Sequence, residues 1–188
     1  EYPDKINITN KTGRSVPITV NRFITPEFCY LLGAMLGDGH IGNSKGKGNE
    51  VVFSSIADKN ILEKFNRYAL KTFGITPKID SRKGLIYYST AMAQVLNALG
   101  VPFGKKADKI RVPDYIFDLP ESYIFKFLEG LFDTDGSATK HTIVAVSTIC
   151  KDFAEDVRLL LIRLGVISYI GKNQISETII MGKTYKTS

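Results

Sequence analysis

Two aspartates, Asp38 and Asp135, each stand directly before a glycine at the end of a helix-like run. The runs, residues 31–39 and 128–136, share a glycine at the third position and Asp-Gly at the end. A segment that occurs twice in one chain indicates two equivalent structural units. A two-fold arrangement of these units would bring the two carboxylates together, and paired carboxylates are a site for a divalent metal ion.

Small residues recur one helical turn apart in both runs. They are Gly33 and Gly37 in the first run, and Gly130 and Thr134 in the second. Residues four apart share a helix face, so both runs predict helices whose backbones approach closely. The two acids would then lie at helix C-termini, where the helix dipole disfavours a carboxylate by roughly 0.3–1 kcal/mol. A bound cation would reverse the sign of that cost.

Other interpretations of the same residues are less consistent with the sequence. Residues 37–42 match G-x-G-x-x-G, but a helical pattern precedes them where a dinucleotide site needs a strand. A calcium loop that starts at Asp133 would lack the glycine and the glutamate required at its positions 6 and 12. Asp133 has no equivalent in the first run and is interpreted as peripheral or capping. Gly39 and Gly136 are predicted to end the helices in the left-handed conformation.

The sequence around the two runs also repeats, which predicts an α+β fold with two related units. A strand at 51–55 and a helix at 58–73 parallel strands within 137–148 and a helix at 151–164. Further strands are predicted near 167–173 and 176–187. The predicted organisation is an N-terminal hairpin extension at 1–22, a first subdomain at 23–103, a linker at 104–120 and a second subdomain at 121–188. The second subdomain is interpreted as lacking a counterpart of the helix predicted at 91–99.

Both runs, Leu31 to Gly39 and Leu128 to Gly136, resemble the LAGLIDADG motif of homing endonucleases. Two motifs with repeated flanks in one chain are similar to the single-chain, pseudo-symmetric members of that family, which implies a monomer. The resemblance implies duplicated αββαββα units related by a pseudo-two-fold axis. It further implies mixed or antiparallel sheets that form a DNA-binding saddle, with the motif helices packed at the unit interface.

The resemblance also implies which residues bind metal. The acid of each motif corresponds to Asp38 and Asp135, which would bind Mg²⁺, with Mn²⁺ as a substitute. The preceding residues, Gly37 and Thr134, would each offer a backbone carbonyl to the metal.

A basic catalytic residue near each acid is a further implication of the resemblance. Members with this layout often carry a lysine shortly before an Ile/Val-Pro pair, and here Lys109 is the choice, with Arg111 as a rival. The symmetric partner would lie near the C-terminus, where Lys183 and Lys186 are candidates.

Composition favours a polyanionic partner, because the net charge is +6 and the pI is about 9.2. Basic and aromatic residues at predicted strands and turns form the surface expected to bind double-stranded DNA: Lys45, Lys47, Arg82, Lys83, Tyr87, Lys140, Lys172 and Lys186. No apolar run reaches the roughly 18 residues of a membrane helix, so no membrane partner is expected. Cys29 and Cys150 are interpreted as buried thiols, which favours a reducing, intracellular compartment.

The resemblance therefore implies a DNA endonuclease that hydrolyses one phosphodiester in each strand of a long, asymmetric site. The alternative is an RNA maturase, or a catalytically silent nucleic-acid-binding protein, on the same fold. The presence of both acids favours the nuclease. Inteins and introns both carry such enzymes, and the stretch 104–120 is more similar to intein-embedded members, while an intron origin stays open.

Overall fold

The computed structural model describes residues 4–9, 16–44, 48–138, 143–171, 176–180 and 183–187. The chain starts with an antiparallel hairpin of β1 (Lys5–Ile8) and β2 (Ile18–Asn21). The helix α1 (Pro26–Gly37) follows, and the Thr25 hydroxyl caps it by accepting a hydrogen bond from the Phe28 N–H at 3.2 Å. Every residue of α1 from 28 to 36 is buried, so this helix forms the centre of the hydrophobic core.

A four-stranded antiparallel sheet follows α1. Its spatial order is β3 (Gly39–Ser44), β4 (Gly48–Phe53), β6 (Gly84–Tyr87) and β5 (Lys78–Asp80). The register pairs Ile41 with Val51 and Val51 with Tyr87, and all three side chains are buried. Because side chains alternate between the faces of a strand, these three share the core face, and the neighbouring His40 is exposed on the other.

Two further helices complete the first unit. The helix α2 (Lys59–Phe73) begins at Asp58, whose carboxylate accepts hydrogen bonds from two backbone N–H groups of the first turn. It ends at Gly74, which has a left-handed φ of 63°. The helix α3 (Thr90–Ala98) is capped by the Ser89 hydroxyl. These caps explain why the helix at 58–73 was predictable to within a residue of its observed ends.

The second unit repeats the element order of the first. The helix α5 (Glu121–Asp135) leads into a hairpin of β7 (Gly136–Ala138) and β8 (Val144–Val146). The helix α6 (Lys151–Arg163) and a second hairpin of β9 (Ser176–Ile180) and β10 (Lys183–Thr187) follow. A short helix, α4 (Asp114–Phe117), lies in the connection between the two units.

The connection is fastened to α6 by a buried carboxylate. Asp156 is 5% exposed and accepts hydrogen bonds from Arg111 Nε at 2.6 Å, Arg111 Nη2 at 2.9 Å and the Val112 N–H at 3.1 Å. Nearby, the Cys150 thiol donates to the Ile110 carbonyl at 3.3 Å. Three consecutive residues of the connection are therefore held against the second unit.

The predicted α+β fold class is confirmed, since the described residues hold six helices and antiparallel sheets in a repeated order. The subdomain boundaries stay a prediction. The strand near 167–173 is wrong over the described residues 167–171, which have no regular secondary structure. Within the described part of the chain, none of the helices is long and apolar enough to cross a membrane.

The left-handed conformation predicted for two glycines is also wrong. Gly136 has φ −79° and ψ 147°, and Gly39 begins a strand with no positive φ. Close approach explains these glycines instead. A Cβ on Gly136 would lie 2.1 Å from the Phe132 carbonyl oxygen, and one on Gly39 would lie 2.5 Å from the Met35 Cα.

Candidate active site

The helices α1 and α5 lie in direct backbone contact. A Cβ added to Gly33 would lie 2.0 Å from the Phe127 carbonyl oxygen, and one added to Gly130 would lie 2.1 Å from the Tyr30 carbonyl oxygen. No side chain fits at such distances, so both positions require glycine. The close helix pair that was predicted from the glycine spacing is therefore observed. The reciprocal contacts are those expected of two helices related by a two-fold axis.

The contact continues to the C-terminal ends of both helices. A Cβ on Gly37 would lie 2.1 Å from Thr134 Oγ1 and 3.3 Å from Asp135 Oδ2. The Thr134 hydroxyl is turned back onto its own helix, where it donates to the carbonyls of Gly130 at 3.1 Å and Leu131 at 2.9 Å. The Asp135 carboxylate thus lies beside Gly37, and Asp38 is the next residue and the C-cap of α1.

The two acids lie close enough for the charge of one to act on the other. The pKa of Asp135 is raised, first by burial and then by the negative charge of Asp38, while the nearby Lys106 ammonium opposes the shift. Both carboxylates also lie at helix C-termini, where the dipole is negative. The site therefore concentrates negative charge, and a cation bound there would reduce the electrostatic repulsion.

One cation is supplied by the chain itself. Lys106 Nζ donates hydrogen bonds to the carbonyl oxygens of Met35, Leu36 and Gly37, each at 2.6 Å. These are carbonyls of the last turn of α1, which have no partner within the helix. Burial lowers the pKa of Lys106 to about 8, although the charges of Asp135 and Asp38 act in the opposite direction.

Sequence reasoning missed Lys106 and chose Lys109. Lys109 is exposed in a turn at residues 107–109, and its backbone N–H donates to the Lys106 carbonyl at 2.8 Å. Its catalytic role stays a prediction. The rival Arg111 forms an ion pair with Asp156 of α6. The sequence did indicate that a basic residue was needed here. A helix that ends in an acid has negative charge next to its unpaired last carbonyls, and a nearby cation stabilises both.

The donor set of the site suits a hard divalent cation. Two carboxylates and backbone carbonyl oxygens are ligands that Mg²⁺ accepts, and Mg²⁺ usually binds through one or two carboxylates together with substrate phosphates. Within the described residues, no group of three or more His, Cys, Asp or Glu side chains could hold a metal ion without further ligands. The residues present therefore fit a cation that is completed by water and by a phosphate-bearing substrate.

The predicted DNA-binding residues are only partly described. Arg82 and Lys83 are exposed in the turn between β5 and β6, and their backbone N–H groups both donate to Asp80 Oδ1. The prediction that Tyr87 binds DNA is wrong, because this side chain is fully buried on the core face. Its hydroxyl donates to Asn66 Oδ1 at 3.3 Å. The backbone of Lys186 belongs to β10, but its side chain is not described. Four more of these lysines lie outside the described residues: Lys45, Lys47, Lys140 and Lys172.

Comparison with known protein families matches both halves of the chain. A family model described as a LAGLIDADG-like domain matches residues 25–99 and 122–186. Each matched segment contains one motif helix and one of the paired acids, Asp38 or Asp135. The internal repeat seen in the sequence therefore coincides with two copies of one domain type.

Three proteins with unrelated names are similar to this chain. A probable translation initiation factor IF-2 of Thermococcus kodakarensis is 30% identical over 159 residues, which are 83% of this chain and 13% of that protein. Elongation factor 2 of Methanopyrus kandleri is 30% identical over 182 residues, 93% of this chain and 13% of that protein. The replication factor C small subunit of Methanocaldococcus jannaschii is 33% identical over 147 residues, 76% of this chain and 8% of that protein. The chain thus spans about a tenth of the length of these relatives.

Proposed function

We propose that this chain is a site-specific DNA endonuclease, from the premise that it belongs to the LAGLIDADG-like domain family, whose model matches both of its halves. That family has homing-endonuclease or maturase-type functions on nucleic acids. The observation that carries the proposal is the meeting of Asp38 and Asp135 at the ends of two helices in backbone contact. Double-stranded DNA is the proposed substrate, and a monomer with two related units is the proposed active form.

Each residue of the site has a proposed role. Asp38 and Asp135 would hold Mg²⁺, with the carbonyl groups of Gly37 and Thr134 as further oxygen ligands. A cation held there would supply Lewis-acid chemistry, which activates water and stabilises charge on the leaving oxygen of a phosphodiester. The low-dielectric environment that raises the pKa of Asp135 also strengthens its interaction with a cation.

Lys106 is the basic residue that we assign to this site in place of Lys109. Its ammonium lies close enough to both acids to interact with each of them, and it already contacts the Gly37 carbonyl. A phosphate that enters between the two carboxylates meets this positive charge. The proposed role of Lys106 is therefore to attract the scissile phosphate by its charge, while its three N–H groups hold the end of α1.

The relatives suggest how the chain is carried in genomes. An initiation factor, an elongation factor and a replication factor subunit have different names, yet each contains a segment similar to this chain within a much longer protein. A mobile element inserted in unrelated host proteins would produce this distribution, so we propose an intein-associated homing endonuclease that acts inside the cell on genomic DNA.

Cleavage of a randomised plasmid library, with Mg²⁺ and with EDTA, tests the proposed activity and identifies the target. Wild-type protein should make metal-dependent double-strand breaks at one long sequence. Asp38→Asn and Asp135→Asn should each reduce the cleavage rate about a hundredfold or more, the scale seen when a group that stabilises transition-state charge is lost. Binding to the same DNA, measured by gel shift, should largely persist.

Asp108→Asn is the matched control, because Asp108 is an exposed acid in the same connection as Lys106. This variant should cut at the wild-type rate. Full cutting by both motif variants would remove the central claim. Tight binding to structured RNA without any DNA cleavage would instead support the maturase alternative.

A further inference from the structure

Four side chains from three helices form a charged cluster beside the motif helices. The inter-helix cluster consists of Tyr30 of α1, Lys64 of α2, and Glu129 and Asp133 of α5. Lys64 Nζ donates to Asp133 Oδ2 at 2.8 Å and also to Glu129 Oε1, and the Tyr30 hydroxyl donates to Asp133 Oδ2 at 2.9 Å. The Lys64 ammonium also lies 4.4 Å from the centre of the Tyr30 ring.

This geometry connects the last turns of α5 to the first unit. Glu129 and Asp133 are four residues apart and share one face of α5. Asp135 follows Asp133 by two residues, which is about 200° around a helix of 3.6 residues per turn. The cluster therefore holds the side of the last turn that faces away from the Asp135 carboxylate.

The acidic side chains of this cluster come from α5, and the equivalent positions of α1 are apolar. The pairing of Gly33 with Gly130 aligns Glu129 with Leu32 and Asp133 with Leu36, and both leucines are buried in the apolar core. The end of α1 is held differently, by the hydrogen bonds from Lys106 to its last carbonyls. Each acid thus ends a helix whose last turn is fixed by its own polar contacts.

The cluster is well satisfied for a half-buried site. Two carboxylates meet Lys64, and Lys126 supplies a second positive charge by donating to Glu129 Oε2 at 2.5 Å. Burial lowers the pKa of Lys64, but its hydrogen bonds to Asp133 and Glu129 outweigh this and raise it. Lys64 therefore stays charged near neutral pH, and its hydrogen bonds form a clamp between α2 and α5.

We propose that Asp133, held by Tyr30 and Lys64, is a positioning residue that fixes the last turn of α5 and thereby sets the Asp135 carboxylate against Gly37 and Asp38. This role rests on the proposed function, because it concerns the metal site of the same centre. From the sequence, Asp133 was predicted to be peripheral or capping, without a role in positioning Asp135. Losing the clamp allows the last turn to rotate or fray, which spreads the position of Asp135 and weakens metal binding.

Mn²⁺ binding to the protein alone, measured by electron paramagnetic resonance of free Mn²⁺, tests this role. Asp133→Asn and Tyr30→Phe should each raise the dissociation constant about tenfold or more, the low end of the range for residues that orient a metal ligand. The control is Glu27→Gln, which breaks an ion pair between Glu27 of α1 and Lys71 of α2 and leaves α5 untouched. Its Mn²⁺ affinity should equal that of wild type.

Melting temperatures separate positioning from plain stabilisation. A lower melting temperature in Asp133→Asn and Tyr30→Phe with unchanged Mn²⁺ affinity would overturn the proposal. If Asp133→Asn does not fold, Tyr30→Phe decides alone, since it removes one hydroxyl and keeps the ring. Failure of the proposed function is distinguishable, because wild type and Asp135→Asn would then be equally unable to bind Mn²⁺.

Discussion

Lys106 illustrates how a single side chain serves both the fold and the site. Its ammonium satisfies carbonyls at the end of α1, and the same position puts a positive charge beside Asp38 and Asp135. In an isolated helix these carbonyls would face water. Here the end of the helix is covered, so a donor from elsewhere in the chain is needed, and the connection between the units delivers it.

Cys29 gives a pH-dependent prediction at the level of one residue. Its side chain is 0% exposed, and burial raises the pKa of the thiol from 9.0 to about 12. Above pH 9 the unfolded chain loses this proton while the folded chain keeps it, so stability falls as the pH rises. Between pH 8 and pH 10 the thiol should lower the free energy of unfolding by about 1 kcal/mol.

Urea denaturation at several pH values measures this effect. Cys29→Ala lacks the titrating group, so its free energy of unfolding should fall less steeply between pH 8 and pH 10 than that of wild type. Any cavity left by the substitution adds an offset that is the same at every pH. Parallel curves for the two proteins would contradict the raised pKa.

The contact between α1 and α5 is a property of two elements, and Gly33 is its most demanding point. Gly33→Ala would place a methyl group 2.0 Å from the Phe127 carbonyl oxygen, so the helices must separate. Overpacking of this kind costs about 1–3 kcal/mol, more than the roughly 1 kcal/mol that alanine gains over glycine in a helix. The midpoint of urea unfolding should therefore drop.

Gly171→Ala is the control for this substitution. A Cβ at Gly171 has no heavy atom within 4 Å, so the change should stay within about 0.5 kcal/mol of wild type. A Gly33→Ala protein as stable as Gly171→Ala would show that the helices approach less closely than described.

The elements also show what the sequence could and could not predict. The glycine spacing in 31–39 and 128–136 was sufficient to predict two helices in close contact, because only glycine tolerates that approach. Asp-Gly was interpreted as a left-handed helix end, but Gly136 is extended and its missing Cβ makes room for the Phe132 carbonyl. The turn and the close contact both favour glycine, so residue type alone does not distinguish them.

Site residues supplied by other elements were harder to predict. Asp38 and Asp135 could be proposed from the sequence because they lie inside the repeated runs. Lys106 comes from the connection, and its place at the end of α1 depends on how that connection folds back. The burial of Tyr87 follows from strand register, since it pairs with Val51 on the core face. Periodicity along one strand does not fix which face a neighbouring strand presents.

At the scale of the whole molecule, two similar units are joined with unequal attachments. The first unit has a four-stranded sheet, whereas β7 and β8 of the second unit pair as a two-stranded sheet among the described residues. The inter-helix cluster and Lys106 both belong to the junction of the units, and the described residues contain no counterpart of either across it. Near-symmetric helices therefore carry acids whose surroundings differ, an asymmetry that agrees with the asymmetric target in the proposed function.

Asp156 tests how far the junction depends on the connection. It accepts hydrogen bonds from Arg111 and from the buried Val112 N–H, and it fastens the segment that also carries Lys106 to α6. Asp156→Ala would leave the Val112 N–H buried without a partner, at a cost of about 1–3 kcal/mol. Arg111→Gln should destabilise less, because Asp156 keeps its bond to Val112 and the arginine side chain is 58% exposed. Urea unfolding ranks the two variants, and an equal or larger loss in Arg111→Gln would mean that the ion pair, rather than the backbone hydrogen bond, holds the connection in place.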